Sequence, residues 1–319
     1  MAGISAFPRQ ANSTLLLLTP EQRVRALQAA AQLASLSKLS INAEEWTPSS
    51  ATQLAMRCAD ACLSEKSLNV WRKENFRSFS WTTNAGSGSV MVAAFPKTSD
   101  GLRGISTVAD MLGAGGFQVP DRNEIEIFMR SLRRAHEMIA SVPKFDEVVG
   151  FNTGFIVPFL CKPPSIGSGS ALQMPGALLL PAGVPPVVIA ECWIHEALHT
   201  ELHLAEWLEG SPPASCAIDL PTPWRTFKRP AALLLHGAYV FSSLLAFMDA
   251  MRDAYAQVPP QWQLSATKGA RIAIHNIHDV MIFRKRQILE ALQILSQAGV
   301  FSEYGKKTLA VTHQELSAL

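Results

Sequence analysis

PPVVIAECWIHEALHTELHLAEWLEG, residues 185–210, is the stretch whose reading decides how this chain folds. Pro185 and Pro186 start a helix, since proline fits the first helical turn. Val187, Val188, Ala190, Trp193, Ile194, Ala197 and Leu198 make it apolar, and Gly210 before Ser211-Pro212-Pro213 stops it. Inside it lies His195-Glu196-Ala197-Leu198-His199, an H-E-x-x-H pattern. Residues four apart sit one turn above each other, so both imidazoles share a face and can converge on one ion. A buried helix with two His and a Glu has little structural reason to carry them unless something binds there. The stretch therefore predicts a core helix bearing a metal site.

Working outward, the pattern around it is helical with a few strands. Thr19-Pro20-Glu21-Gln22 reads as a helix start, with a cap, proline at the first position and Gln three residues after the cap. The Ala- and Leu-rich run to Leu39 continues it, and Ser50 to Ser67 is a second such run. Ser78-Phe79-Ser80-Trp81 and Ser89-Val90-Met91-Val92 flank Asn84-Ala85-Gly86-Ser87-Gly88, which predicts a hairpin over about 76–95. Asp121 to Val142 is an amphipathic helix with Ile125, Phe128, Met129 and Leu132 inward, and Arg130, Arg133, Arg134 and His136 in solvent. Val148–Leu160 and Ala177–Leu180 are β-rich, with a loop over Pro163–Gly169 between them. Helices follow at about 185–209, 229–255 and 265–298, and a short one near 307–317.

The expected fold class is mainly α with a small β-sheet (α+β), and the metal site lies between two packed long helices. Gly101, Gly104, Gly113, Gly115 and Gly116 mark a break. It would divide a helical N-terminal lobe with a hairpin, 1–115, from a metal-binding catalytic domain, 116–319.

Composition narrows the function. With 48% hydrophobic and 17% charged residues among 319, a sizeable core can form. A net charge of +2 gives no footprint for nucleic acid or an anionic membrane. Cys58, Cys62, Cys161, Cys192 and Cys216 are odd in number and irregularly spaced, which fits a reducing, cytoplasmic compartment. Leu15 to Leu18 is too short for a signal peptide's apolar region. Ala231 to Met251 is apolar enough to suggest a membrane span, but His236, Gly237, Tyr239, Ser242, Ser243 and Asp249 favour a buried core helix.

Two imidazoles need a third ligand. A metzincin would place His at position 205, which is Ala. His203 follows His199 by four, but three imidazoles along two turns span about 12 Å, too far for one ion, which puts His203 beside the ligands or in solvent. A gluzincin needs Glu on a following helix, and none occurs between Glu209 and Glu290. Asp219 and Asp249 remain open. His236 is the better candidate, because it lies in an apolar helix where an unpaired imidazole is costly. Gly237 beside it would let another backbone approach closely. His275 and His278 have less apolar surroundings and read as peripheral. Before His236, Arg225 and Arg229 flank a helix start, a combination that favours an anion.

The order His195-Glu196-x-x-His199, Pro223-Trp224-Arg225, Arg229-Pro230 and Leu235-His236-Gly237-Ala238-Tyr239-Val240-Phe241 resembles a known family. Its members are the HExxH-motif proteins found beside ribosomally synthesised, post-translationally modified peptides, which look like iron(II)- and 2-oxoglutarate-dependent peptide β-hydroxylases. The resemblance covers residues 175–250 and is weak elsewhere. It implies His195, His199 and His236 as iron ligands and Arg225 or Arg229 for the distal carboxylate of 2-oxoglutarate. It also implies Glu196 and Tyr239 as catalytic candidates and a precursor peptide, modified at an Asp β-carbon, as substrate. A facial carboxylate is the usual anionic ligand in such oxygenases, so Glu196 or an Asp is an alternative ligand. The competing class is a zinc metallopeptidase with Glu196 as general base. The third is a non-catalytic binding module, against which the intact His195, Glu196 and His199 stand.

Overall fold

The computed structural model describes residues 18–19, 22, 25–26, 76–83, 86–93, 118, 120–160, 167–170, 175–209, 218–224, 227–258, 277–299 and 303–317. The Ser50–Ser67 helix, most of the 19–39 helix, the glycine-marked break, four of the five cysteines, Arg225 and His275 lie outside them. The helix start at Thr19 is within them. Thr19 N–H donates to Gln22 Oε1 at 2.9 Å and Gln22 N–H to Thr19 Oγ1 at 3.3 Å, the reciprocal cap read from the sequence.

The protein is mainly helical with a small mixed sheet. Strands β1 (Phe76–Thr83) and β2 (Gly86–Ala93) form the expected antiparallel hairpin. It joins β3 (Phe155–Leu160) in parallel, Met91 opposite Phe155. β3 pairs in parallel with β5 (Ala177–Ala182), which is buried along its whole length. The two-residue β4 (Gly169–Ser170) caps the edge antiparallel to β5. Sheet order is β1-β2-β3-β5-β4.

Helix α1 (Arg122–Ala140) starts at a capping box, Asp121 with Glu124, and buries Ile125, Phe128 and Leu132 as expected. Its apolar face is wider than read. It also takes in Ala135, His136 and Ile139, because the helix packs on two other helices and on the sheet. His136, expected in solvent, is buried between the Phe79 and Trp193 rings. Its Nε2 lies 3.4 Å from Asp146 Oδ1. The segment read as β-rich from Val148 is instead the end of α2 (Pro143–Asn152). Proline at its first position sets the helix, and tertiary packing of Val148 and Val149 overrides their β-branching.

From β5 the chain turns at Gly183, whose φ of +77° suits glycine, into α3 (Pro186–Glu209). Val187, Ile189, Trp193, Ile194, Ala197, Leu198 and Leu202 are all buried on it, so α3 is the central helix. Even the N-terminal segment reaches it, since Leu18 N–H donates to Glu201 Oε1 at 3.0 Å. A two-stranded ribbon, β6 (Asp219–Leu220) with β7 (Arg229–Pro230), precedes α4 (Ala231–Ala250). Arg229 and Pro230 pair as a short strand, and Pro230 is also the N-cap of the helix, which begins at Ala231. α4 has the length and composition of a membrane span, but its apolar window is mostly buried inside the protein. The single helix expected over 229–255 breaks at Met251, and α5 (Arg252–Ala256) follows. α6 (Ile277–Ala298) and α7 (Glu303–Ser317) pack against α4 and close the bundle.

Candidate metal centre

The four-residue spacing of His195, His199 and His203 places them along one stripe of α3, and Glu206 continues it three residues on. α4 packs against α3 and presents a buried His236 to that stripe. Ring centroids lie 4.8 Å apart for His195–His199 and 6.2 Å for His199–His203. His236 is 5.7 Å from His199 and 5.6 Å from His203. One ligand nitrogen each from His199, His203 and His236 lies within 4.8 Å of the other two. Among the described residues this is the group brought together, and it shares His199 and His236 with the set expected from the sequence.

His203 was expected beside the ligands because His195, His199 and His203 span too far to act together. That holds for three donors on one helix. It does not bind here, because His236 arrives from the neighbouring helix opposite the second turn, not the first. His195 keeps its place next to His199, with its ring 5.6 Å from that of Phe241.

On α3 the electrostatics favour neutral imidazoles. Burial, then the charges of His195, His236, His203 and Arg229, hold His199 well below the usual histidine range. Burial and the neighbouring His236 bring His203 down to about 4, against an opposing pull from Glu206. Burial also lowers His195, with Glu196 opposing and Arg284 adding. A neutral imidazole is what a metal ligand must be. His203 Nδ1 is moreover buried with no hydrogen-bond partner among the described residues, which leaves a donor atom for an ion. The donor chemistry thus fits a divalent transition metal.

Glu206 anchors the cluster. Its Oε1 lies 2.8 Å from His236 Nε2. Burial raises its carboxyl, but the hydrogen bond and the His236 and His203 charges outweigh that and leave it lowered. Glu206 escaped the sequence reading, although its position seven residues after His199 and three after His203 puts it on the same helical face. Glu196 points elsewhere. Both its oxygens accept hydroxyl protons at 2.6 Å, from Ser168 and from Ser170 on β4. His195 Nε2 lies 3.8 Å from its Oε1. Nothing in the spacing of the 163–169 loop pointed to those serines.

Of the remaining candidates, Arg229 stands on β7 with its guanidinium 5.6 Å from the Phe227 ring centroid, and its charge is felt at His199. Tyr239 is fully buried in the apolar core. Asp219, Asp249 and His278 are exposed, and Asp249 accepts from Arg252 at 2.7 Å. Beside His195 the sequence reading missed Arg284, a buried guanidinium stacked 4.2 Å over the Phe241 ring. Trp224 packs on that ring from 5.3 Å and also fills the space beside Gly237. A Cβ there would come within 2.4 Å of Trp224 Cζ2. The close approach that Gly237 permits is by an indole, not by a backbone. No protein-family model matches the chain, and no curated protein matches it.

Proposed function

We propose that this chain is a cytoplasmic iron(II)- and 2-oxoglutarate-dependent dioxygenase that hydroxylates a side-chain β-carbon, that of Asp, in a ribosomal precursor peptide. The metal half of the reading rests on the meeting of imidazoles from α3 and α4, with His199 and His236 at its centre and burial holding His199 well below the usual histidine range. The choice of iron and 2-oxoglutarate rests on the motifs of residues 175–250 and their family resemblance. Bound there, iron(II) with 2-oxoglutarate and dioxygen supplies oxidative hydroxylation of an unactivated carbon, with release of succinate and carbon dioxide.

The chain's own groups have separable tasks in this reading. His199 and His236 bind the ion. Arg229, whose charge reaches His199, attracts the carboxylates of the co-substrate, and Arg225 is the other candidate for that task. The packed helices keep water from the cluster. Glu196 ties α3 to the edge strand β4 through two serine hydroxyls. That engagement favours this reading over the zinc peptidase, which needs the same carboxylate free to act as a general base on water.

The test is anaerobic reconstitution with iron(II), then turnover with 2-oxoglutarate, oxygen and candidate peptides. Succinate release and one oxygen atom gained by an intact peptide are expected. A peptide cut in two by zinc-loaded protein, with no succinate from the iron form, reverses the assignment. The Glu196→Gln variant sharpens it, because a peptidase loses nearly all activity while the oxygenase keeps turnover.

A further inference from the structure

Resting on the reading of this cluster as a metal centre, we propose that the ion is held by His199, His203 and His236. It then sits one helical turn beyond the place the H-E-x-x-H pattern marks, and His195 is not a ligand. Three observations point there. The donor nitrogens of these three residues lie within 4.8 Å of one another, and His195 does not join that set. His203 Nδ1 is buried and has no hydrogen-bond partner among the described residues, so apart from an ion that atom would be desolvated for nothing. His236 Nε2 is engaged by Glu206 at 2.8 Å, which leaves Nδ1 with the lone pair for the ion.

Glu206 is then a positioning residue. A carboxylate on the far nitrogen of a ligating imidazole fixes ring and tautomer and makes the ring a better donor. His195 instead turns its ring to Phe241, on whose face Arg284 is stacked. The first histidine of the motif thereby borders an aromatic and cationic wall beside the centre.

Cobalt(II) alone is the probe, added to the metal-free full chain, with bound cobalt measured by mass spectrometry and by its visible absorption band. The His203→Ala and His236→Ala variants are expected to lose affinity by more than about 100-fold, beyond the ~10–100-fold typical of groups behind the ligands. Glu206→Gln is expected inside that ~10–100-fold range, with a shifted band. His195→Ala is expected to bind as the parent does, within about 3-fold, since it removes no ligand. Circular dichroism checks the fold of each, and His203→Gln replaces His203→Ala if the latter does not fold. Loss of cobalt in His195→Ala, retention in the His203 variant, or no binding by the parent chain overturns the assignment. The experiment needs neither 2-oxoglutarate nor peptide. Cobalt bound by this set in a protein that never releases succinate would remove the dioxygenase reading and leave the site standing.

Discussion

In the first half of α3, Glu191 and Trp193 each meet one complementary partner. Glu191 accepts from the Tyr255 hydroxyl at 2.7 Å, and the Trp193 indole donates to Thr153 at 2.8 Å. Against Trp193 packs His136, with Asp146 at 3.4 Å. In the second half, donors of the same kind face each other: His199 and His203 meet His236 with nitrogens within 4.8 Å. A carboxylate that accepts from a phenol, or an indole that donates to a hydroxyl, is a finished structural unit. Three imidazoles that face one another are not, with burial holding His199 and His203 below the usual histidine range, and a cation would complete them. On the proposed reading, the same helix therefore carries a packing half and a binding half. Burial alone does not tell them apart, and partner chemistry does.

The largest expected effect lies in the packing half. Trp193→Ala empties a fully buried indole site and should cost about 3–5 kcal/mol by urea unfolding. The folded fraction should still bind metal at the parent stoichiometry. A loss of metal in step with the loss of stability would erase the distinction. His236→Ala is the converse. It should drop metal affinity by more than about 100-fold, upwards of about 3 kcal/mol, while most of the fold survives. Metal removal by a chelator should lower the parent's melting temperature and leave that of His236→Ala unmoved.

Gly237→Ala probes the seam between the halves and the Trp224 wall. The added Cβ meets a fixed indole at 2.4 Å, so overpacking should cost about 1–3 kcal/mol, read by thermal unfolding. An unchanged melting temperature would mean that Trp224 moves aside freely.

The smallest effect is a slope with pH. Burial pushes the Glu191 carboxyl up from its ordinary 4.5, against the Tyr255 hydrogen bond and the Arg284 charge. Above about 4.5 the unfolded chain gives up this proton while the folded chain keeps it. The folded state then binds more protons, so stability falls as pH rises from there through the raised native value, and levels beyond it. Glu191→Gln, which still accepts from Tyr255, should remove that part of the slope in urea melts taken across pH. Parallel slopes in parent and variant would show that Glu191 ionises in the folded protein as it does unfolded.

The amino-acid sequence by itself determined the central helix, because its apolar run, opening prolines and closing glycine are local signals. It determined the hairpin, the capping box at Asp121 and the apolar α4 for the same reason. It pointed to His195, His199 and His236, since a histidine in an apolar helix stands out wherever the fold puts it, and the last two are in the group that the structure brings together. Tertiary structure decided the rest. Which turn of α3 faces His236 depends on how two helices slide against each other, and spacing within either helix is silent on that. Arg284, Ser168 and Ser170 reach the site from elements remote in sequence, with no periodic mark of their role. His136 looked exposed among arginines because local polarity was read, whereas its burial comes from a strand, a helix and an indole closing over it. Local periodicity fixes which face of an element is apolar, and only packing fixes what that face meets.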